Sequence, residues 1–287
     1  MFKSVLVSGA SGFVGENLVH HLFKQGYRVT CLVRESTNKA RLEAISPQVS
    51  FGLYDGSYKS AQRIFERTKY ETVFHLATLA KYDHDPEDIC DMIRSNIVLG
   101  THLAEAMTEF KVKNLINACT FWQYYHSHDY QPLNLYAATK QALVDILKYY
   151  SLNHDIWVAN VILFDTYGPN DPRTKLPSLI LDASEEQREI NLSPGEQLID
   201  LTHVSDVVTA LERAVERINA RTEKFNTYIA SNGNPETLKL AITNLAKQNG
   251  VKYKLNWGKK PYREKEVFHI DIYDRFENLL RNDCGKT

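Results

Sequence analysis

A doubly wound parallel α/β sheet, followed by a smaller α/β lobe, is the fold class this chain predicts. Three features predict it. Through residue 165, short apolar β-prone runs alternate with segments of helical period. A glycine-spaced turn separates the first run from the first helical segment. Beyond residue 165 the segments shorten and the alternation lapses. The expected division is therefore 1–165 for the sheet domain, with 197–221 returning to it, and 166–287 for the second lobe.

The first strand is Val5-Leu6-Val7, and Ser8-Gly9-Ala10-Ser11-Gly12-Phe13-Val14-Gly15 follows at once. Glu16–Gln25 carries Leu18, Val19, Leu22 and Phe23 at helical spacing. Glycines at Gly-x-x-Gly-x-x-Gly spacing let a backbone turn tightly and approach a pyrophosphate, which rests on amides at the helix N-terminus. Tyr27–Val33 reads as the second strand. Where a carboxylate would hold the ribose hydroxyl of NAD stand Val33 and Arg34, and a guanidinium there suits a 2′-phosphate. The competing role for Arg34 is that of a surface loop residue. Val49–Tyr54 is a third strand ending at Asp55, which either accepts from an adenine amine or forms a turn before Gly56.

Glu71–Thr78 is a fourth strand, with His75 read as a hydrogen-bonded structural histidine. A long helix starts at Asp85-Pro86-Glu87 and runs to about Met107. It contains Asn96, which is either exposed or, if buried, in need of partners. Leu115–Thr120 is the fifth strand, and Thr120 lies at its C-terminal end, where open α/β sheets hold ligands. Residues Phe121–Tyr130 form an aromatic loop suited to covering a site. His126, His128 and Asp129 in it lack a further ligand cluster, which argues for a polar loop over a metal.

A helix carrying Tyr136 and Lys140 runs to about Asn153, and Ile156–Leu163 is the sixth strand. Past the break at Asp165–Asn170, Thr174–Glu186 reads as helical, with short strands at Glu189–Leu192 and Leu198–Leu201. His203–Val207 opens another helix. Phe225–Ile229 and Tyr253–Trp257 read as strands, and Pro235–Gln248 as a helix. The basic loop Lys259–Arg263 precedes a last helix.

A length of 287 residues with 43% hydrophobic content supports a sizeable core, and a net charge of −1 argues against nucleic acid as a partner. The sequence has no apolar run of transmembrane length, and Met1–Val7 does not resemble a signal peptide. Cys31, Cys90, Cys119 and Cys284 are scattered, as free thiols in a reducing compartment are. The expectation is a soluble cytoplasmic protein.

Tyr136 and Lys140 stand four apart, which on a helix stacks their side chains on one face. A cation beside a phenol favours phenolate, so such a pair can bring a tyrosine into acid–base work. The spacing alone is equally that of a solvated helix face.

Taken together, Gly9/Gly12/Gly15, Asp55, His75-Leu76-Ala77, Asn96, Thr120, Tyr136/Lys140, Tyr167-Gly168-Pro169 and His203–Val207 resemble the extended short-chain dehydrogenase/reductase family. These are enzymes with a Rossmann nucleotide domain that epimerise, dehydrate or reduce nucleotide sugars. Within it the chain looks most like the 4-ketoreductases of 6-deoxy and 3,6-dideoxy sugars on CDP or a related nucleotide, paratose and abequose synthases among them. The resemblance implies Tyr136 as proton donor or acceptor at the sugar C4 oxygen, Lys140 lowering its pKa and binding the nicotinamide ribose, and Thr120 orienting the same oxygen. It implies that Gly9, Ser11, Gly12, Phe13, Val14 and Gly15 cradle the pyrophosphate, with Asp55 at the adenine and Leu76 and Ala77 lining the cofactor. Thr78, Asp165, Lys175 and Arg263 would meet the substrate, with Arg263 at its diphosphate. A homodimer through the helices around Glu87–Met107 and Leu133–Asn153 is also implied.

Departures from the family pattern inform the reaction. Phe121-Trp122 stand where the 4,6-dehydratases carry an Asp-Glu pair, and neither moves protons, which argues against dehydration. Ser205-Asp206 replaces an acidic pair, and Asp165 stands where Asn is usual. An epimerase recycles bound NAD, whereas a reductase exchanges NADPH; Val33-Arg34 favours NADP(H) and a reductase. The alternatives are an NAD-dependent nucleotide-sugar 4-epimerase and, from another class, a catalytically silent nucleotide-sensing protein, against which the intact Thr/Tyr/Lys set argues.

Overall fold

The computed structural model describes residues 3–45, 49–173, 175–181, 189–250 and 254–281. In chain order its first elements are β1 (Ser4–Ser8), α1 (Phe13–Lys24), β2 (Arg28–Val33), α2 (Ala40–Ile45), β3 (Ser50–Leu53), α3 (Tyr58–Arg67), β4 (Thr72–His75), α4 (Ile89–Ile93) and α5 (Leu99–Glu109). Next come β5 (Asn114–Thr120), α6 (Leu135–Asn153), β6 (Trp157–Leu163), β7 (Asp165–Tyr167), α7 (Leu176–Leu181), β8 (Glu189–Asn191), β9 (Leu198–Ile199) and β10 (Leu201–His203). The chain closes with α8 (Val204–Asn219), β11 (Phe225–Ala230), β12 (Glu236–Thr237), α9 (Leu238–Gln248), β13 (Lys254–Asn256) and β14 (Glu277–Asn278).

Eight strands form one parallel sheet in the order β14-β11-β6-β5-β4-β1-β2-β3. Successive strand side chains point to opposite faces, so both faces must be covered when both are apolar. Val5 and Val7 pack with Leu18 and Leu22 of α1 and with Val207, Leu211 and Ala214 of α8. Leu6 packs on the other side with Ile64 and Phe65 of α3, Leu103 and Met107 of α5, and Leu143 and Leu147 of α6. This is the doubly wound α/β arrangement that the strand–helix alternation predicts. The strand order reverses between β1 and β4, and the crevice beyond their C-terminal ends is where such sheets bind ligands.

The later chain contributes to the same sheet: α8 covers it, and β11 and β14 extend its β6 edge. Three two-stranded pairs, β7–β10, β9–β12 and β8–β13, lie outside it. Asp200 sits between two of them, fully buried. It accepts hydrogen bonds from the Ser231 hydroxyl at 2.5 Å, the Tyr273 hydroxyl at 2.9 Å and the Thr202 hydroxyl at 3.1 Å.

Several local expectations change. The helix expected after Arg263 is absent among the described residues. Residues 264–276 run as turns and extended chain into β14, because Val267, Ile270, Ile272, Tyr273 and Phe276 follow the contour of Phe121, Phe164 and Ile229 rather than a helical stripe. Helices α2 and α3 arise where none was read. In α3, Ser57 caps by accepting from the Ser60 N–H at 3.2 Å, and Ala61, Ile64 and Phe65 supply the apolar face. The helix read over Thr174–Glu186 is seen as Leu176–Leu181, with Thr174 and 182–188 outside the described residues, as Tyr253 is for β13.

The long helix from Asp85 is interrupted. It begins as a tight turn at Pro86–Asp88, continues as α4, widens over Arg94–Val98 and resumes as α5. Asn96 occupies the widened turn, fully buried. Its carbonyl accepts from the Leu79 N–H at 2.7 Å and the Thr78 hydroxyl at 3.0 Å, and its amide donates to Leu79 O at 3.1 Å and Thr139 Oγ1 at 2.9 Å. Four partners satisfy a buried amide, and a widened turn is a common device beside functional sites.

Candidate active site

Helix α6 starts at Asn134, whose side chain accepts from the Ala137 N–H at 3.0 Å and donates to Tyr82 O at 3.0 Å. That cap sets the phase of the helix, so Tyr136 and Lys140 both turn inward, 9% and 1% exposed. They do not form a solvated face. Burial pushes the Tyr136 phenol up to about 12, while hydrogen bonds from Thr78 and Thr120 and the charge of Arg173 pull the other way. Burial also pushes Lys140 below the usual lysine range, with Cys119 opposing. Desolvation of the phenolate outweighs the two threonines and the Arg173 charge, and it favours a protonated phenol at neutral pH.

Thr120 ends β5 and is 8% exposed. Its hydroxyl caps the turn Phe121–Gln123 by accepting from the Trp122 N–H at 3.3 Å. The Trp122 indole stands edge-on to the Tyr136 ring at 6.0 Å and to Tyr82 at 5.6 Å. Thr78, whose hydroxyl donates to Asn96 Oδ1 at 3.0 Å, is the largest of the influences that pull the phenol back down. Thus Thr78, Thr120 and Trp122 surround Tyr136, with Lys140 one turn further along α6.

The glycine turn lies beside this group. Gly9 has φ +71, and a Cβ there would meet Ala77 N at 2.6 Å and Leu76 C at 2.7 Å. A Cβ on Gly15 would stand 2.1 Å from Gly9 O. These two positions let β1, α1 and the end of β4 close on one another. Gly12 caps α1 and is exposed with Ser11, and the first-turn amides of Phe13 and Val14 have no intrahelical acceptor. A helix N-terminus so presented beside Leu76 and Ala77 fits an anionic pyrophosphate. His75 is buried, with Nδ1 at 2.8 Å from the Ser8 hydroxyl, and burial holds its pKa down to about 3, with Lys140 adding to the shift. The structural reading of that histidine suits this setting.

Other candidates lie further out. Arg34 is exposed after β2, its N–H donating to Thr37 Oγ1 at 3.0 Å. The Asp55 carboxylate holds a turn by accepting from Ser57 N at 2.9 Å and Ser57 Oγ at 2.6 Å, and it pairs with Arg63 at 3.2 Å. Of its two sequence-level roles, turn formation is thus on view. Asp165 is pushed up by burial and by Asp200, with Lys175, Arg173 and Arg263 opposing. Arg263 lies over Tyr82 at 4.8 Å. Arg173, absent from the sequence reading, binds Asp171 through two bonds of 2.7 Å, donates to Thr166 O at 2.9 Å and lies over the Phe13 ring at 4.6 Å. Only its place soon after Tyr167-Gly168-Pro169 marked it in the sequence. Among the described residues no group of three metal-ligating side chains converges, and no helix is long and apolar enough to cross a membrane. His126 accepts from the Phe268 N–H at 2.7 Å and Asp129 pairs with Arg275 at 2.7 Å, so the aromatic loop is strapped to the C-terminal segment.

With a glycine turn at the switch point and a Thr/Tyr/Lys group beside it, comparison with known proteins places the chain. A model of the NAD dependent epimerase/dehydratase family matches residues 5–227. The chain belongs to that family. Its members work with a nicotinamide cofactor, which the helix N-terminus of α1 fits. Among characterised relatives, CDP-abequose synthase of Salmonella muenchen is 26% identical over 280 residues, covering 97% of this chain and 92% of the relative. UDP-glucuronate 4-epimerase of Thermodesulfobacterium geofontis is 29% identical over 224 residues, covering 70% and 68%. The fold matches UDP-glucose 4-epimerase of Thermotoga maritima, solved with UDP-glucose, at a TM-score of 0.79 and 21% identity, covering 96% and 93% of the two chains.

Proposed function

We propose that this family member reduces the C4 ketone of a nucleotide-linked 4-keto-6-deoxy or 3,6-dideoxy sugar with NADPH, in the making of bacterial surface-polysaccharide sugars. The observation that carries the reading is the Tyr136 phenol, buried edge-on to Trp122 near the Thr120 and Thr78 hydroxyls, with burial holding its pKa up at about 12. A reduction ends by protonating an alkoxide, and a phenol that keeps its proton at neutral pH is equipped to donate it. The near-complete span shared with a CDP-abequose synthase supports the same choice, as does the indole of Trp122 where a dehydratase needs a proton carrier.

In this reading the reduced nicotinamide supplies the hydride. The amides of Phe13 and Val14, with Gly9, Ser11, Gly12 and Gly15, hold its pyrophosphate; Leu76 and Ala77 line it, Lys140 binds its ribose, Asp55 faces the adenine and Arg34 the 2′-phosphate. Tyr136 gives its proton to the C4 oxygen, which Thr120 and Thr78 orient. Asp165, Lys175 and Arg263 face the sugar nucleotide, CDP- or dTDP-linked. The enzyme acts in the cytoplasm as a homodimer, its substrate lobe lying within 166–287. Mixing protein, NADPH and CDP- or dTDP-4-keto-6-deoxyhexose tests the reading through the reduced-nicotinamide absorbance near ~340 nm. Steady loss of absorbance is expected; no loss with any such substrate overturns it.

The epimerase relatives favour a second reading, a nucleotide-sugar 4-epimerase. That protein would purify with tightly held NAD and interconvert C4 epimers without net consumption of cofactor.

A further inference from the structure

We infer that Gln123 is a positioning residue, a brace that fixes the distance between the Thr120 hydroxyl and the Tyr136 phenol. The inference rests on Thr120 and Tyr136 acting together at a sugar oxygen, as both readings above require. Gln123 is 1% exposed, and a buried amide must bond through both its ends. Its Oε1 accepts from the Thr120 N–H at 3.1 Å, and its Nε2 donates to Gln141 Oε1 at 2.8 Å. Gln141 in turn donates to Asp145 Oδ1 at 3.0 Å, one turn along the same helix. The amide orientation follows from the network, since the backbone N–H of Thr120 can only donate.

The two ends of the brace are significant. Thr120 stands on β5, while Gln141 adjoins Lys140 on α6, five residues from Tyr136. Gln123 is thus a direct polar tie between the strand end that carries one hydroxyl and the helix that carries the other. The Thr120 oxygen already accepts from the Trp122 N–H, which spends one lone pair and turns its hydrogen away from the Phe121–Gln123 turn. Reciprocal capping by Gln123 and Thr120 locks that turn, and with it the rotamer that presents the hydroxyl to Tyr136. An aliphatic side chain at 123 would fill the space yet leave the Thr120 N–H unbonded and the strand end untethered from α6. Displacements of about an ångström in a reacting group cost on the order of 100-fold in rate.

The test uses Gln123→Met, which keeps length and apolar bulk, Gln141→Leu, which cuts the brace from the α6 surface, and Thr120→Val. Expected for Gln123→Met is a fall in kcat of roughly 10- to 100-fold, with KM for NADPH within about twofold. Gln141→Leu should lose less in the same direction. In the Thr120→Val background, Gln123→Met should cost no more than about twofold, because the hydroxyl it positions has gone. Wild-type kcat in Gln123→Met, or full additivity with Thr120→Val, overturns the brace. Should the wild-type protein consume no NADPH and epimerise no nucleotide sugar, the functional reading falls and the brace is judged by crystal structures. A shift of Thr120 Oγ1 from Tyr136 by about 0.5 Å or more in either Gln variant supports it, and an unmoved hydroxyl overturns it.

Discussion

Tyr136 shows how burial can outweigh a neighbouring charge. The Arg173 charge pulls its phenol down, yet removal from water pushes the phenol up to about 12, and burial pushes the Lys140 ammonium on the same helix face down. Tyr136→Phe should therefore lower turnover by about 100- to 10,000-fold, the span of a lost general acid, while NADPH binding, followed by cofactor fluorescence, stays within a few-fold. The same raised pKa has a consequence for stability. The folded protein holds this proton more tightly than the unfolded chain, so the contribution is present below the ordinary tyrosine value near ~10 and is lost as pH rises towards about 12. His75 behaves in the opposite sense. Its folded pKa of about 3 lies below the unfolded value near ~6.5, so its contribution is present above that value and fades as pH falls towards 3. Urea midpoints measured between these limits should decline with acid in the native protein and decline less in His75→Asn.

Asn96 and the widened turn between α4 and α5 carry a structural idea of their own. One amide joins Leu79 and Thr78 after β4 to Thr139 on α6, so the helix break holds two parts of the site together. Asn96→Leu leaves the part-buried Leu79 N–H and carbonyl without these partners, each costing about 1–3 kcal/mol. A loss of roughly 2–4 kcal/mol in urea unfolding is expected, along with reduced kcat as Thr78 swings from Tyr136. Unchanged stability would contradict the role assigned to that amide. Sequence periodicity anticipated a helix here but not its interruption, because the polar Asn reads the same whether it faces water or the interior. The aromatic loop gives a similar lesson. Its His126 ring accepts from the Phe268 N–H and its His128 ring lies 3.7 Å from the Asp274 carboxylate, and the partner segment 264–276 lies far away in the chain.

The sheet as a whole depends on close approach at its switch point. A Cβ at Gly15 would press to 2.1 Å from Gly9 O, so Gly15→Ala should lose dinucleotide affinity or fold poorly, as thermal shift with NADPH would show. Assembly is the other property at this size. Ile89, Ile93, Tyr149 and Leu152 are 40%, 36%, 53% and 70% exposed on α4 and α6, the helices through which the proposed homodimer forms. Light scattering should give twice the 32.9 kDa chain mass, and Ile93→Asp with Leu152→Asp should give a single copy.

The parallel doubly wound class, the glycine turn at the first helix and the positions of Thr120, Tyr136 and Lys140 were all legible in the chain. They rest on local periodicity and on fixed spacings within single elements. The sign of the Tyr136 shift, the four bonds of Asn96, the Gln123 tie and the placing of Arg173 over Phe13 emerged only on folding. Each depends on how much water is excluded and on which distant segment arrives alongside, and neither quantity is encoded in any short stretch of residues.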